Sequence, residues 1–406
     1  MKKFYIFFFL FFAIILTPPL GALDRATTQW FFLSFLPLFF YRDIEFKFKS
    51  FVFLVYIFFI IQVVLSLLYT NNFSISIIDT SRHIIILFLV TIILGLLNTS
   101  KSSFYYISFF ISVFLVIESL FSIFPLLSFF YENGILFSKI ISIDLDQFKG
   151  ITGNRNITTA SIVIKLPFLF YTLYRVNYFY KPILGIISSI PLITLFIINS
   201  RAALLSFLFI VVFVSIYFIF LNPKKIQNLV YILVFSSFSF FISKQITQST
   251  SKDTLKRLST INFSNESSSQ RLFLWENALD YISNNPFIGC GIGNWKVESS
   301  AYWGSLGTNY LVPYHAHNDF LEFSTELGLI GGLTYFSLFV LMGFIFLRLF
   351  ISSKDFKFLV LLLSLSALFI DSFLNFPFER PIIQTLFVLL LAFSIHYNLK
   401  VHETKV

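Results

Sequence analysis

Long apolar stretches separated by short polar segments recur along the whole chain. Each stretch is close to the ~20 residues that a helix needs to cross the hydrocarbon core of a bilayer. The stretches are continuous rather than alternating, which excludes a transmembrane β-barrel. The pattern therefore predicts an all-α polytopic membrane protein with about twelve transmembrane helices, at 4–22, 27–41, 51–69, 84–98, 105–124, 158–174, 182–199, 204–221, 229–243, 328–350, 358–376 and 381–397.

Two segments between the predicted helices, 125–157 and 244–327, are too long to be simple connectors. Connections without regular structure rarely exceed ~15 residues, so both are expected to fold and to carry function. We therefore predict three parts. Residues 1–243 form the first nine helices together with the outer segment 125–157, residues 244–327 form a large periplasmic loop between helices nine and ten, and residues 328–406 form the last three helices and a cytoplasmic tail.

The large loop contains two recognisable patterns. The stretch "SQRLFLWENALDYI" places Leu272, Trp275, Leu279 and Ile282 at helical spacing, which predicts an amphipathic helix at the membrane surface. The stretch "NNPFIGCGIGNW" follows, and its proline and three glycines predict a tight irregular turn.

Composition and charge agree with a membrane protein. The chain is 57% hydrophobic and 12% charged, whereas a soluble domain is about 25% charged. The net charge of +9 could suggest nucleic acid, but the basic residues lie in short loops at regular intervals. That is the positive-inside pattern, so it predicts membrane lipids and no nucleic acid as partners, with both termini cytoplasmic. The first apolar stretch could also be a cleaved signal peptide, which would leave the rest of the topology unchanged.

Four ionisable residues lie within or at the ends of predicted helices, towards the outer side: Glu118, Lys165, Arg201 and Asp371. Such residues are functional candidates because they are costly in a membrane. Structural alternatives exist for each. Glu118 and Lys165 could form a buried pair, Asp371 could bond backbone near "NFPFERP", and Arg201 could reach headgroups or bind phosphate oxygens.

The stretch "HAHNDFLEFSTELGLIGG", residues 315–332, is a polar cluster that runs directly into a predicted membrane helix. "NDFLEFSTEL" predicts a short helix with His317 near its start. The glycines at 328, 331 and 332 allow a break or a close approach where the chain enters the bilayer. A histidine at such a position can exchange a proton near neutral pH.

Alternatives remain open for these residues. His315 and His317 could ligate a metal together with Asp319 or Glu322, or His317 could be a hydrogen-bonded structural histidine. Arg271 could lie on a solvated helix face.

Three further residues near this polar cluster are candidates for sugar stacking or for packing. Tyr314 and Trp295 could stack on sugar rings, although aromatic residues are also common at membrane interfaces. The single cysteine, Cys290, lies between glycines; it excludes an internal disulfide and is expected to be a small packing residue.

His317 and Asn318, followed after nine residues by Gly328 and Gly331, form an H-N-x9-G-x-x-G pattern. This pattern resembles the signature of the ligase branch of the O-antigen ligase and polymerase superfamily of bacterial envelope glycosyltransferases. Further segments resemble the family in the expected order and together cover most of residues 150–381: "GNRNITTA" (153–160), "NSRAALLS" (199–206), "QRLFLWENAL" (270–279), "NPFIGCGIGNW" (285–295) and "DSFLNFPFERP" (371–381).

The resemblance implies an enzyme of the bacterial inner membrane whose active site faces the periplasm. It would transfer a glycan from undecaprenyl diphosphate to a sugar hydroxyl of lipid A-core or another glycan acceptor, without a metal, a nucleotide sugar or a cofactor. Arg201 and Arg271 match the functional arginines of the family and would hold the diphosphate, whose charge develops as it leaves. His317 matches the histidine of the family and would act on the acceptor hydroxyl. Further candidates for substrate binding are Asn318, His315, Tyr314, Lys165 and Trp295.

Other functions compete with the ligase. A polymerase of the same superfamily would join lipid-linked repeat units, and a protein-glycosylating relative is a third possibility. From a different class, a glycolipid transporter or flippase would make no bond. Such folds usually contain repeats and charges near the bilayer midplane, whereas this chain is asymmetric and its charges lie towards the outer face.

Overall fold

The computed structural model describes residues 49–99, 103–133, 145–247, 266–303 and 314–403. The first two predicted helices, and the signal-peptide alternative, lie outside the described residues. Within the described residues the protein is 89% helical and has no strand. Ten helices in this part are long and apolar enough to cross a membrane. The prediction of an all-α polytopic membrane protein is therefore confirmed.

The helices of the described residues are numbered here in chain order. They are α1 Phe51–Leu65, α2 Phe73–Thr99, α3 Ser103–Asn133, α4 Arg155–Arg175, α5 Lys181–Ile198, α6 Arg201–Ile216, α7 Gln227–Thr247, α8 Glu266–Asn284, α9 Trp295–Glu298, α10 Asp319–Ser353, α11 Phe356–Leu374 and α12 Pro381–Glu403.

Three helices are longer than the hydropathy pattern predicts. The helix predicted at 84–98 begins at Phe73, the helix predicted at 105–124 continues to Asn133, and the helix predicted at 328–350 begins at Asp319. The additional turns of α2 and α10 contain polar side chains, which end a run of high hydropathy. These side chains find partners in the folded protein, so the backbone continues as helix and satisfies its own hydrogen bonds.

The described residues divide into two compact units, each assembled from separated stretches of the chain. The first unit contains 103–133, 145–247 and 346–370. The second unit contains 49–99, 266–303, 314–345 and 371–403.

In the first unit, α5 and α7 pack against each other at Gly185. A side chain at this position would run into the ring of Phe235, so the absence of one allows the two helices to approach closely. Interhelical hydrogen bonds add to this contact, because the hydroxyl groups of Ser239 and Ser243 each donate to a carbonyl of α5 at 3.3 Å.

In the second unit, an aromatic core lies beneath the first turns of α10. Phe323 and Tyr335 contact each other with ring centroids 4.5 Å apart, and both contact Phe59 and Phe378. Phe378 belongs to the short segment between α11 and α12. This core therefore holds the start of α10 against the segment that follows α11.

Candidate active site

The residues before α10 form a loop, residues 315–318, that we call the histidine loop. Its last residue, Asn318, caps the helix: the side-chain oxygen accepts hydrogen bonds from the backbone N–H groups of Phe320 (3.0 Å) and Leu321 (3.1 Å). The short helix predicted after His317 is therefore present. Asn318 is buried, so its side chain serves the backbone and we do not assign it to substrate binding.

Glu322, one turn into α10, holds the other end of the loop. One carboxylate oxygen lies 2.7 Å from Nδ1 of His315, and the other accepts the backbone N–H of Ala316 at 3.0 Å. Burial disfavours the charged ring of His315, but the Glu322 carboxylate outweighs burial and raises the pKa of His315. His315 is thus favoured as a cation, bound to Glu322.

His317 differs from His315 in backbone conformation, hydrogen bonding and the direction of its pKa shift. Its backbone is in the left-handed region, with φ of 53°, which is uncommon for a residue other than glycine. Its Nδ1 atom is buried and has no hydrogen-bond partner among the described residues. Burial, followed by the charges of Arg271 and His315, lowers the pKa of His317 to about 4. The ring is neutral at pH 7 and can accept a proton, and it lacks at Nδ1 the partner that a purely structural histidine would use.

Phe376, in the segment after α11, provides a surface that three polar side chains share. The ring of His315 stacks on it at 4.2 Å between centroids, and the ring of His317 meets it edge-on at 4.8 Å. The guanidinium carbon of Arg380 lies 5.4 Å from the centroid of Phe376. The "DSFLNFPFERP" segment is thus part of the site, although the sequence analysis singled out neither Phe376 nor Arg380.

Arg271, on α8, reaches the same segment. Its guanidinium donates to the side-chain oxygen of Asn375 at 3.1 Å, and Asn375 donates to a carboxylate oxygen of Asp371 at 2.5 Å. Arg271 is therefore not on a solvated helix face. Asp371 bonds a side chain rather than only the backbone of its helix. The charge of Arg271 acts on His317, so the structure brings these two predicted residues together.

The residues of α8 that pack against the protein are largely distinct from the apolar stripe predicted for the membrane surface. Leu274, Ala278 and Ile282 are buried, whereas Leu272 and Leu279 are 43% and 53% exposed. The predicted helix is therefore present, and the exposed Leu272 and Leu279 are free to face a membrane surface, as the sequence analysis expects. Several positions on this helix are apolar, and periodicity alone did not decide which of them face the protein.

The predicted break in α10 is present at Gly328, where φ is 76° and ψ is 175°. The "NNPFIGCGIGNW" turn fills the break and bonds the backbone groups that the break releases. Three backbone hydrogen bonds make this connection: Leu329 N–H to Pro286 O (2.9 Å), Cys290 N–H to Thr325 O (3.0 Å) and Gly291 N–H to Glu326 O (2.9 Å). The helix is thus interrupted without leaving these groups unsatisfied.

A small core joins the turn, α8 and the histidine loop. It contains Ala278, Cys290, Trp295 and Ala316. Trp295 is only 2% exposed and packs edge-on against Tyr281, so it cannot stack on a sugar, and that prediction was wrong. Cys290 is 1% exposed, which confirms it as a packing residue, and burial raises the pKa of its thiol. Ala316 belongs to this core and lies between His315 and His317 in the chain.

The remaining predicted residues are placed as follows. Lys165 forms a buried ion pair with Glu118 and donates to Ser161 at 2.6 Å, which is the structural alternative for this pair. We therefore do not assign Lys165 to substrate binding. Arg201 is the first residue of α6, in the first unit, and follows a left-handed residue at Asn199. Tyr314, which is 60% exposed, is available for stacking.

A comparison with protein families adds independent evidence. Residues 186–336 match the family model described as O-antigen ligase. The match covers 151 of the 406 residues. This confirms the resemblance to the O-antigen ligase and polymerase superfamily, since the matched residues include Arg201, Arg271 and the histidine loop. No curated protein matches the chain.

An ionic cluster in the second unit joins residues outside the matched range 186–336 to Lys296 inside it. Arg82 of α2 forms ion pairs with Asp79 at 3.1 Å and Glu379 at 3.2 Å, and Lys296 lies 3.5 Å from Asp79. Burial favours the neutral acid at Glu379, yet Arg82 outweighs it and lowers the pKa of Glu379. The signal missed in the sequence was "DTSRH", residues 79–83, a polar run directly before a predicted helix.

A small cavity of about 20 Å³ adjoins this ionic cluster. Glu322 lines the cavity and also bonds His315, so the cavity borders the histidine loop. The other lining residues are Asp79, Arg82, His83, Ile292, Asp319, Phe323, Glu326, Phe378 and Glu379. Among the described residues, no three His, Cys, Asp or Glu side chains are placed to hold a metal ion.

Proposed function

We propose that the protein is a membrane glycosyltransferase of the O-antigen ligase type. It transfers a glycan from undecaprenyl diphosphate to a sugar hydroxyl of lipid A-core at the periplasmic face of the bacterial inner membrane. The family match and the membrane-spanning helices support the general class. The observation that carries the assignment is the unpartnered Nδ1 of His317, held close to Arg271 in a buried setting.

The reaction breaks one bond and forms another. The oxygen of the acceptor hydroxyl attacks the anomeric carbon of the donor sugar, and the bond between that carbon and the diphosphate oxygen breaks. Undecaprenyl diphosphate leaves with the electron pair. The hydroxyl proton passes to His317, which is neutral at pH 7, and then to the leaving diphosphate. Because the diphosphate is already a good leaving group, the step requires no metal, cofactor or nucleotide sugar.

The arginines stabilise the charge that develops on the leaving group. In our proposal Arg271 binds the diphosphate, and the family resemblance implies the same role for Arg201. Burial is the main cause of the low pKa of His317, and the positive charge of Arg271 adds to it by opposing protonation of the ring. A bound diphosphate compensates this charge. We therefore expect the pKa of His317 to rise when the donor binds, so that the base becomes stronger only in the loaded enzyme.

The distribution of basic residues supports the orientation. The short segments rich in lysine and arginine support cytoplasmic termini and a periplasmic position for residues 244–327. The histidine loop lies within that segment, so in our proposal it faces the periplasm, where the lipid-linked donor and lipid A-core meet.

A lipopolysaccharide gel of a deletion strain tests the proposal. The strain is complemented with wild type, His317→Ala, Arg201→Ala, Arg271→Ala or the control Arg348→Gln, an exposed arginine in a predicted cytoplasmic segment. We expect bare core and accumulated lipid-linked polymer in the deletion strain. Wild type and Arg348→Gln should restore the ladder, and the three site variants should not, although all insert in the membrane.

Two results would contradict the proposal. If deletion leaves core capped with a single repeat unit, the protein is the polymerase. If His317→Ala restores a full ladder, His317 is not the residue that accepts the proton.

A further inference from the structure

Arg380 is a cation at the active site for which the reaction described above has no role. Its guanidinium lies over Phe376, 5.4 Å from the ring centroid, and its Nε atom is buried without a hydrogen-bond partner among the described residues. The neighbouring carboxylate of Glu379 forms its ion pair with Arg82 instead. The residue is partly exposed, so a ligand can reach it.

Arg380 stands in a group of cationic side chains gathered around one apolar ring. His315 stacks on Phe376, and Arg271 bonds Asn375, the residue directly before Phe376. Arg380 also acts electrostatically on His315. Three cationic groups from three separate parts of the chain therefore surround Phe376. Glu322 and Glu379 offset part of this charge at His315 and Arg380, and a bound anion would offset more of it.

Arg271 reaches Asn375 and Arg380 lies over Phe376, so two guanidinium groups approach neighbouring residues of one short segment. Each guanidinium offers a planar pair of donors that matches two oxygens of one phosphate. Phe376 fixes the plane of Arg380 by a cation–π contact, and Asn375 fixes Arg271 by a hydrogen bond. Both arginines are thus oriented by neighbouring residues of the same short segment before any ligand binds.

We propose that Arg380 is a further ligand of the polyprenyl diphosphate and binds one of its phosphates beside Arg271, with Phe376 as the positioning residue for Arg380. This proposal rests on the proposed function and deepens it. It assigns the diphosphate to a site shared by α8 and the segment between α11 and α12, next to His317.

The test uses the full-length protein in nanodiscs, with farnesyl diphosphate, farnesyl monophosphate and farnesol as probes. The variants are Arg380→Gln, Arg380→Lys and Phe376→Leu, with Arg348→Gln as the control. We expect Arg380→Gln to weaken farnesyl diphosphate binding about ten- to hundredfold, as the loss of a charge-assisted hydrogen bond does. Arg380→Lys should keep part of the affinity, because it retains the charge but not the planar donors. Phe376→Leu should weaken binding less than Arg380→Gln.

Transfer kinetics provide the second readout. Arg380→Gln should raise the KM for the lipid-linked donor and leave the KM for the acceptor unchanged, and Arg348→Gln should change neither. A purely structural role would instead lower kcat together with thermal stability and affect both substrates.

Several outcomes would overturn the proposal. Wild-type affinity of Arg380→Gln for farnesyl diphosphate would do so. An equal loss for farnesyl diphosphate and farnesol would mean that Arg380 only maintains the fold. If the variant changes the response to anionic phospholipid in the nanodisc but not diphosphate binding, Arg380 binds headgroups. Failure of the proposed function has a different signature, because the wild-type protein itself would then not transfer glycan.

Discussion

The break in α10 depends on Gly328. We expect Gly328→Ala to displace the "NNPFIGCGIGNW" turn from the backbone of α10, to which it is hydrogen-bonded. At φ of 76° and ψ of 175° the backbone is in a region that is essentially restricted to glycine. A methyl group there would lie 2.5 Å from the carbonyl oxygen of Phe287, which is backbone and cannot rotate away. Backbone strain of this type costs about 1–3 kcal/mol. We expect the turn to relieve it by moving away from α10.

The chain has a single cysteine, Cys290, and it lies within this turn with 1% exposure. Its rate of modification by a thiol reagent reports how often the turn opens, provided that closing is faster than modification. Since each 1.36 kcal/mol is a factor of ten, a strain of 1–3 kcal/mol should raise the labelling rate about 5- to 160-fold.

The matched control is Leu329→Ala, which truncates an exposed side chain next to Gly328 and leaves the backbone unstrained. Its labelling rate should stay within about twofold of wild type, as is usual for surface substitutions. Equal rates in Gly328→Ala and Leu329→Ala would refute the reasoning, because the break would then tolerate a side chain.

Three further predictions concern other parts of the protein. Because Glu322 raises the pKa of His315, the pair contributes stability that is fully present below the unfolded pKa of about 6.5 and is lost as pH rises through the folded pKa. The thermal stability lost in Glu322→Gln should therefore be larger at pH 6 than at pH 9, and a pH-independent loss would contradict this. Trp295→Ala should destabilise the protein by about 3–5 kcal/mol in denaturant unfolding, while Trp295→Phe should leave the KM for both substrates unchanged; a raised KM would restore a sugar-stacking role. Glu118→Gln and Lys165→Met should each destabilise by about 3–5 kcal/mol, because each leaves a buried charge unpaired, whereas the double variant should recover most of the loss; additive losses would show that the two side chains are not coupled.

The membrane-spanning architecture was predictable because the thickness of the bilayer sets the length of a continuous apolar run. The histidine loop was predictable for a different reason. Local signals agree there: Asn318 caps the helix, and Gly328 allows the break. The Glu118–Lys165 pair was predictable from equal depth on consecutive helices, which requires no knowledge of distant contacts.

Contacts between distant parts of the chain were not predictable. Arg82 and Glu379 are separated by 297 positions, and nothing in the local sequence of either residue specifies the other. The exposure of Trp295 was misjudged for the same reason, since Ala316 and Tyr281 cover it from other segments. Phe376 and Arg380 lay in a segment of recognised resemblance, but their part in the site depends on the position of the histidine loop.

The ion pair between Arg82 and Glu379 has a consequence for synthesis of the protein. A bacterial ribosome adds about 5–20 residues per second, so Arg82 precedes its partner by roughly 15–60 s. Until Glu379 is made, Arg82 can pair only with Asp79 of the same helix, and charged residues within a membrane helix are costly. The outer half of α2 should therefore remain near the membrane surface, or with the insertion machinery, until the segment after α11 has been translated. The second unit is completed last, although its first helices are among the earliest to leave the ribosome.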